Sequence, residues 1–197
     1  MNKANSDLSW KSLSRKTLLQ TPIFDLVADH RSQSQIQKEL TFYILDSRDW
    51  VNVIAIDTES ALDPQARCAW VRQFRVGANQ VTWEIPGGAC DPGDTDPLQS
   101  AQRELFEEFH AKASKWIRLA SISPNPALHT NQVHTFLALG CQVQEGPPPG
   151  DGHEVLEMAW FPLQKFWDLV DSGEVNHALV TSAFLSFESA KRRGLVP

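Results

Sequence analysis

The sequence has few of the features that would place a protein in a membrane or in an oxidising compartment. No apolar run approaches the ~20 residues that a membrane-spanning helix needs. The first 22 residues carry four basic side chains but no apolar segment of the kind found in signal peptides. The three cysteines are odd in number and lack metal-type spacing, which predicts reduced thiols. We therefore expect a cytoplasmic protein with no membrane partner.

Positive charge is also scarce. Eighteen Lys and Arg residues face 24 Asp and Glu residues, giving a formal net charge of −6. This balance speaks against nucleic acid held by a basic surface. An anionic substrate would have to be met by a metal ion and a few local arginines. The 197 residues allow one good core with a small appendage.

The most informative segment is an acidic helix in the middle of the chain. Asp96 is a good N-cap, Pro97 suits the first helical position, and Gln99 completes a capping-box pattern. The helix is predicted to start at Pro97 and to end near Phe109 or His110. At about 100° per residue, one face is apolar. That face comprises Leu98, Ala101, Leu105 and Phe109.

Three carboxylates, Glu104, Glu107 and Glu108, share the arc beside that apolar face. Glu107 and Glu108 fall in the last turn, where the helix dipole disfavours an anion by roughly 0.3–1 kcal/mol. Glu104 and Glu108, four residues apart, add repulsion of a few tenths of a kcal/mol. Hard divalent cations such as Mg²⁺ bind through a few carboxylates plus substrate phosphates. The segment therefore predicts a metal-binding helix rather than a solvated charged face.

The spacing around this helix resembles the Nudix box of the Nudix hydrolase superfamily. Gly88 is followed after five residues by Asp94, and after eight more by the sequence RELFEE at 103–108. Three departures are visible: Asp94 stands where glutamate is usual, one extra residue precedes Arg103, and His110 replaces the closing glycine. None of them alters the Arg-Glu-x-x-Glu-Glu core. A loop before the helix can absorb the insertion, and histidine is tolerated in the left-handed conformation at a helix end.

The resemblance continues outside the box. Several flanking segments are similar to the ADP-ribose and nucleoside-diphosphate-sugar pyrophosphatase branch of this superfamily. Together the similar segments cover roughly residues 40–190. They are WVRQFR at 70–75, WEIPGG at 83–88, Ser123-Pro124, HTFLA at 134–138, EVLEMAW at 154–160 and SGEV at 172–175.

The expected fold belongs to the α/β class. The resemblance implies an α/β/α sandwich with a mixed sheet, preceded by a small β-rich subdomain. We predict a dimerisation subdomain at 1–45, a Nudix hydrolase domain at 46–197, and a homodimer. Apolar patterning predicts strands at 13–18, 23–29, 40–45, 51–56, 68–74, 81–85, 116–122, 133–143 and 155–161. It also predicts a helix from Pro162 to Val170 and a last helix at 178–193 capped by Asn176.

In the family the acidic core coordinates the metal, which implies that Glu104, Glu107 and Glu108 bind Mg²⁺, with Mn²⁺ as an alternative ion. A Gly87-Gly88 turn would let the backbone approach closely, and the Gly88 carbonyl could add a ligand. Arg103 lies four residues before Glu107 and is expected to buttress that carboxylate.

The general base must lie elsewhere, because metal-bound carboxylates are poor proton acceptors. In related enzymes a loop in the region after residues 146–150 supplies it. Glu154 is our choice, and Glu157 is the alternative, with a plain surface role left open for Glu157.

Four residues are candidates for substrate binding. Arg72 and Arg75 could face one open side of a strand and contact phosphate, or could form surface or dimer salt bridges. Glu84 could recognise a base or a metal hydrate, or be a paired sheet residue. Trp83 could stack on a nucleobase. The six histidines share no ligand spacing and are interpreted as structural or exposed.

The resemblance implies Mg²⁺-dependent hydrolysis of the diphosphate bond of a small-molecule nucleoside diphosphate sugar, such as ADP-ribose. The alternative is a Nudix domain that has lost turnover and serves as a nucleotide-sensing or binding module. The intact acidic core favours the enzyme.

Overall fold

The computed structural model describes residues 8–146 and 155–197. The chain divides into two compact units. One is the described part of Met1–Arg48 with Ser123–Gln132, and the other is the described part of Asp49–Ile122 and Val133–Pro197. None of the helices in these ranges is both long enough and apolar enough to span a membrane.

The smaller unit is built on a three-stranded antiparallel sheet in the order β1-β2-β3. Its strands are β1 (Lys11–Gln20), β2 (Asp25–Gln33) and β3 (Lys38–Asp46). The carboxylate of Asp29, fully buried in β2, accepts hydrogen bonds from Ser12 Oγ at 2.6 Å and from Arg31 Nε and Nη2 at 2.9 and 2.6 Å. Every residue of β1 is exposed. The three strands predicted at 13–18, 23–29 and 40–45 are confirmed, and each is longer than predicted.

The larger unit contains a four-stranded mixed sheet in the order β7-β4-β10-β9 and a three-stranded antiparallel sheet in the order β12-β5-β6. In the first sheet β4 and β10 run parallel. A two-stranded pair, β8 and β11, completes the strands found in the described ranges. The strands are β4 (Trp50–Ala55), β5 (Arg67–Arg75), β6 (Gln80–Glu84), β7 (Gly87–Ala89), β8 (Ala111–Lys112), β9 (Lys115–Ile122), β10 (Val133–Leu139), β11 (Gln142–Val143) and β12 (Glu157–Pro162).

Helices cover both faces of these sheets, because successive strand residues point to opposite sides. In β4, Val51 and Val53 belong to a core cluster with Leu105 of the first helix, whereas Ile54 packs into a second cluster with Phe184 of the last helix. This arrangement confirms the predicted α/β class with a mixed sheet. The helices are α1 (Pro97–Phe109), α2 (Lys165–Asp171) and α3 (Ala178–Arg192).

Four local predictions are wrong. The predicted Gly87-Gly88 turn is part of strand β7, which pairs with β4. The predicted strand 133–143 is interrupted at Gly140, whose φ of +61° is the left-handed conformation that glycine adopts most readily. Pro162 ends β12, and α2 begins three residues later. His177, not Asn176, caps α3.

Candidate active site

Helix α1 presents the acidic cluster, and its predicted bounds are confirmed. The Asp96 side chain accepts a hydrogen bond from Leu98 N at 2.9 Å, which satisfies one of the free amides of the first turn. Gln99 Oε1 accepts from Thr95 N at 2.9 Å, one residue before the expected partner. His110 closes the helix in the left-handed conformation with φ of +47°, so the substitution for glycine is accommodated.

Arg103 lies between two of the three carboxylates. Its Nη1 donates to Glu107 Oε2 at 2.8 Å and forms an ion pair with Glu104 Oε1 at 2.9 Å. Its Nη2 donates to the carbonyl of Ala89 at 2.9 Å, which ties the helix to β7. The Glu104 side chain is 13% exposed, that of Glu107 is 34% exposed, and Glu108 is buried. The Arg103 guanidinium therefore offsets the repulsion between carboxylates that was predicted from the sequence.

The two glycines of β7 let this short strand fit between β4 and α1. A Cβ on Gly87 would collide with the carbonyl oxygen of Val51, the neighbouring residue on β4. A Cβ on Gly88 would fall on the Glu104 carboxylate, 2.7 Å from its carbon. A close approach of the backbone at these two glycines was predicted, but for a turn. The structure instead produces the close approach by pairing β7 with β4, and the Glu104 carboxylate packs against the Gly88 backbone.

The loop between β7 and α1 absorbs the extra residue of the box. Asp94 Oδ2 accepts a hydrogen bond from Ser100 Oγ at 2.5 Å, and Asp94 N donates to the carbonyl of Asp91 at 3.0 Å. The Ser100 hydroxyl, and to a smaller degree the Asp91 backbone and Arg103, hold the pKa of Asp94 below its ordinary value. Asp94 therefore holds this loop against the first turn of α1.

The candidate substrate residues form two separate pairs. Arg75 donates to both carboxylate oxygens of the buried Glu84, at 2.8 and 2.7 Å. Arg72 donates to Glu157 Oε2 at 3.0 Å, and its guanidinium lies 5.9 Å from the ring centre of Trp83. Arg72 and Arg75 are three residues apart in β5, so they face opposite sides of the sheet. The prediction that both face one open side is wrong.

An open groove of about 710 Å³ lies beside the Arg75–Glu84 pair. Its other notable member is His177, the residue that caps α3. Sequence reasoning missed this histidine, because its only local signal was a position next to a helix start. The groove is lined by residues 73–78 together with Val155 and His177.

The remaining predicted residues are the two candidate general bases. Glu154 lies outside the described residues. Glu157 is directly opposite Arg72 in the pairing of β12 with β5, and it is engaged in the ion pair with that arginine.

The carboxylate oxygens of α1 are suitable ligands for a divalent cation, but they form only part of a coordination shell. In residues 8–146 and 155–197, no three His, Cys, Asp or Glu side chains are arranged as a complete metal site. Mg²⁺ rarely needs one, because it keeps several waters and binds through one or two carboxylates plus substrate phosphates. The carboxylate oxygens of Glu104 and Glu107, and the absence of a Cβ at Gly88, meet that requirement.

Comparison with known proteins agrees with this geometry. The chain matches the NUDIX domain family over residues 48–184. It is 31% identical over 118 residues to an ADP-ribose pyrophosphatase of Bacillus subtilis, covering 60% of this chain and 63% of that protein. It is 33% identical over 115 residues to an RNA pyrophosphohydrolase of Mesorhizobium japonicum, covering 48% and 64%. These alignments span a little under two thirds of either relative. A crystal structure of an ADP compounds hydrolase superposes with a TM-score of 0.77 at 23% identity, covering 95% of this chain and 97% of that one.

The chain therefore belongs to the NUDIX domain family. The resemblance predicted from residues 88–108 is confirmed at the level of the family, and the predicted Nudix-type fold is confirmed.

Proposed function

We propose that this protein catalyses Mg²⁺-dependent hydrolysis of the diphosphate bond of a nucleoside diphosphate sugar, such as ADP-ribose, to a nucleoside monophosphate and a sugar phosphate. The observation that carries the proposal is the clustering of Glu104, Glu107 and Glu108 on α1, with Glu104 packed against the backbone of Gly88. The similarity to an ADP-ribose pyrophosphatase supports the choice of substrate.

Glu104, Glu107, Glu108 and the Gly88 carbonyl would hold the metal, Mg²⁺ or Mn²⁺. When bound, such an ion neutralises phosphate oxygens and lowers the pKa of its water. Arg103 acts on the carboxylates and not on the substrate. Its bonds to Glu107 and to the Ala89 carbonyl keep the helix and β7 in a fixed relation. It is a positioning residue.

Glu154 is the proposed general base that takes the proton from the attacking water. The ion pair of Glu157 with Arg72 supports this choice over Glu157, because that carboxylate already has a guanidinium partner at 3.0 Å. Glu157 thereby serves to fix Arg72 beside Trp83.

The groove beside Arg75 and Glu84 is the proposed place for one end of the substrate. Glu84 satisfies Arg75 through two short hydrogen bonds, which leaves the guanidinium fixed rather than mobile. A fixed guanidinium whose charge is offset by Glu84 favours an oxygen-rich ligand in the groove. On the opposite face of β5, Arg72 and Trp83 offer a cation and an aromatic ring to the other part of a nucleotide.

We further propose a cytoplasmic homodimer assembled through the N-terminal subdomain at 1–45, with hydrolysis carried by 46–197. Large apolar side chains exposed on the three-stranded sheet support this assembly. These side chains are Leu13, Leu18, Leu19, Leu40, Phe42 and Tyr43. A two-fold dimer is the commonest way to cover such a surface.

Incubation with a panel of nucleoside diphosphate sugars, with products identified by chromatography, tests the proposal. The expected result is release of a nucleoside monophosphate and a sugar phosphate in the presence of Mg²⁺, and none with a chelator. Binding of ADP-ribose without any release would favour the sensing module instead. Activity on triphosphate-ended RNA alone would move the substrate to the class named for the Mesorhizobium japonicum relative.

A further inference from the structure

The groove beside Arg75 is lined by His177, whose tautomer is fixed by a hydrogen bond from the backbone. His177 Nδ1 accepts a hydrogen bond from Leu179 N at 3.2 Å, which caps helix α3. A nitrogen that accepts from an amide carries no proton of its own. In the neutral ring the remaining proton therefore resides on Nε2, and the capping bond fixes this tautomer.

The surroundings of His177 keep it in place and keep it neutral. Thr82 Oγ1 donates to the carbonyl of Glu174 at 3.0 Å and accepts from Asn176 N at 3.1 Å, which anchors the turn before His177 to β6. Burial lowers the pKa of His177, and Arg75 adds to this, while Glu84 opposes it. Because Glu84 and Arg75 are paired, their opposite effects on His177 largely offset each other, which leaves burial as the main cause of the lowered pKa.

We propose that His177 is a specificity-determining residue that donates an Nε2–H hydrogen bond to an uncharged acceptor of the substrate, in the group attached to one end of the diphosphate. The inference rests on the proposed function and goes beyond it by naming the contact. A neutral donor beside the fixed guanidinium of Arg75 suits a ribose hydroxyl or a base carbonyl or ring nitrogen, which carry no charge to attract a cation.

The position along the chain is compatible with that role. Glu84, which is bonded to Arg75 of the groove, lies four positions before Gly88 at the carboxylate cluster. Four residues of extended chain span at most about 13 Å. One end of a nucleoside diphosphate sugar can thus reach the groove while its diphosphate lies near α1. Every group needed for this argument belongs to the larger unit.

Two variants separate the capping role from the substrate contact. His177→Ala removes both the capping acceptor and the Nε2 donor. His177→Asn restores a favoured capping side chain but leaves no donor at the reach of Nε2. We expect the alanine variant to lower Tm and the asparagine variant to restore it. Both should raise KM for ADP-ribose about 3- to 10-fold, the scale of one neutral hydrogen bond, with a smaller change in kcat.

Calorimetric binding of AMP and of ribose 5-phosphate to the metal-free protein gives a second readout. In His177→Asn, one of the two should bind more weakly by a similar factor and the other should be unchanged, which identifies the half that His177 contacts. If His177→Asn restores both Tm and KM, or leaves both product affinities unchanged, the proposal is overturned and His177 only caps the helix. If the wild-type protein hydrolyses no nucleoside diphosphate sugar, the proposed function fails, while the binding experiment still decides on His177.

Discussion

Gly88 and Glu104 are in direct contact: the Glu104 carboxylate packs against the Gly88 backbone so closely that any side chain at position 88 would displace it. Strand β7 and helix α1 are thereby fixed to each other at the proposed metal site. The contact gives a structural reason for glycine at this position of the Nudix box.

Gly88→Ala should lower kcat about 100-fold, because a shift of about 1 Å in a catalytic group can cost that much. The fold should persist, since the Glu104 side chain can rotate away. The matched control is Gly93→Ala. Gly93 has no atom within 4 Å of a built Cβ and no positive φ, so that variant should behave as wild type. Wild-type kcat and metal affinity in Gly88→Ala would refute the role given to this contact.

The two candidate bases should differ sharply. Glu154→Gln should lower kcat at least ~100-fold, the usual scale for loss of a general base, with metal affinity little changed. Glu157→Gln should cost only a few-fold in KM, because it removes an exposed ion pair with Arg72 worth about 0–1 kcal/mol. Steady-state kinetics of both variants decide between them. A larger loss of kcat at Glu157 would reverse the assignment.

The loss of folding stability at acidic pH should depend on Asp29. Hydrogen bonds from Arg31 and then Ser12 hold the pKa of Asp29 below its ordinary value of 3.8, against the opposing effect of burial. The unfolded chain therefore binds the proton more readily. The free energy of unfolding should fall as pH drops from 3.8 through the lower pKa of the folded protein.

Asp29→Asn should be less stable at pH 7 and should lose part of that pH dependence, as measured by urea unfolding at pH 7 and pH 3. Asp168→Asn is the control, since that side chain is 70% exposed, and its unfolding should parallel wild type at both pH values. Equal pH dependence in Asp29→Asn and wild type would exclude Asp29 as the cause.

The N-terminal sheet should assemble the protein. Wild type should scatter light as a dimer at micromolar concentration, and deletion of residues 1–38 should reduce solubility and raise KM together. Leu19→Lys, at a side chain 55% exposed, should give a folded monomer. Leu185→Lys, at a position 69% exposed on α3, should remain dimeric. A wild-type monomer, or a truncated protein with unchanged KM, would contradict the assembly.

Local signals predicted the helical part of the site. Asp96 and Pro97 act within one turn, so the start of α1 could be located from sequence alone. Apolar patterning likewise predicted strands β4 and β5, whereas the sandwich with its two-sided core was implied by the family resemblance. In contrast, β7 depends on pairing with a strand more than 30 residues earlier, and a Gly-Gly sequence is also typical of turns.

Side-chain partners at the site depended on tertiary structure. The pairing of Arg75 with Glu84, and of Arg72 with Glu157, follows from strand register, which the sequence did not specify. The period of two along β5 is the one sequence signal that separates Arg72 from Arg75. His177 was missed because the groove that it lines is formed by parts of the chain that are distant in sequence, and its local capping bond alone indicates no site.

The most direct test of the account is turnover of ADP-ribose by Glu107→Gln and Glu108→Gln with Mg²⁺ present or chelated, beside Glu188→Gln as a control acid on α3. The account predicts that wild type and the control release AMP and ribose 5-phosphate only with Mg²⁺. It predicts that each α1 variant loses orders of magnitude in kcat while its circular dichroism spectrum is unchanged. Near-wild-type turnover in either α1 variant, or wild-type turnover that is indifferent to the chelator, would contradict it.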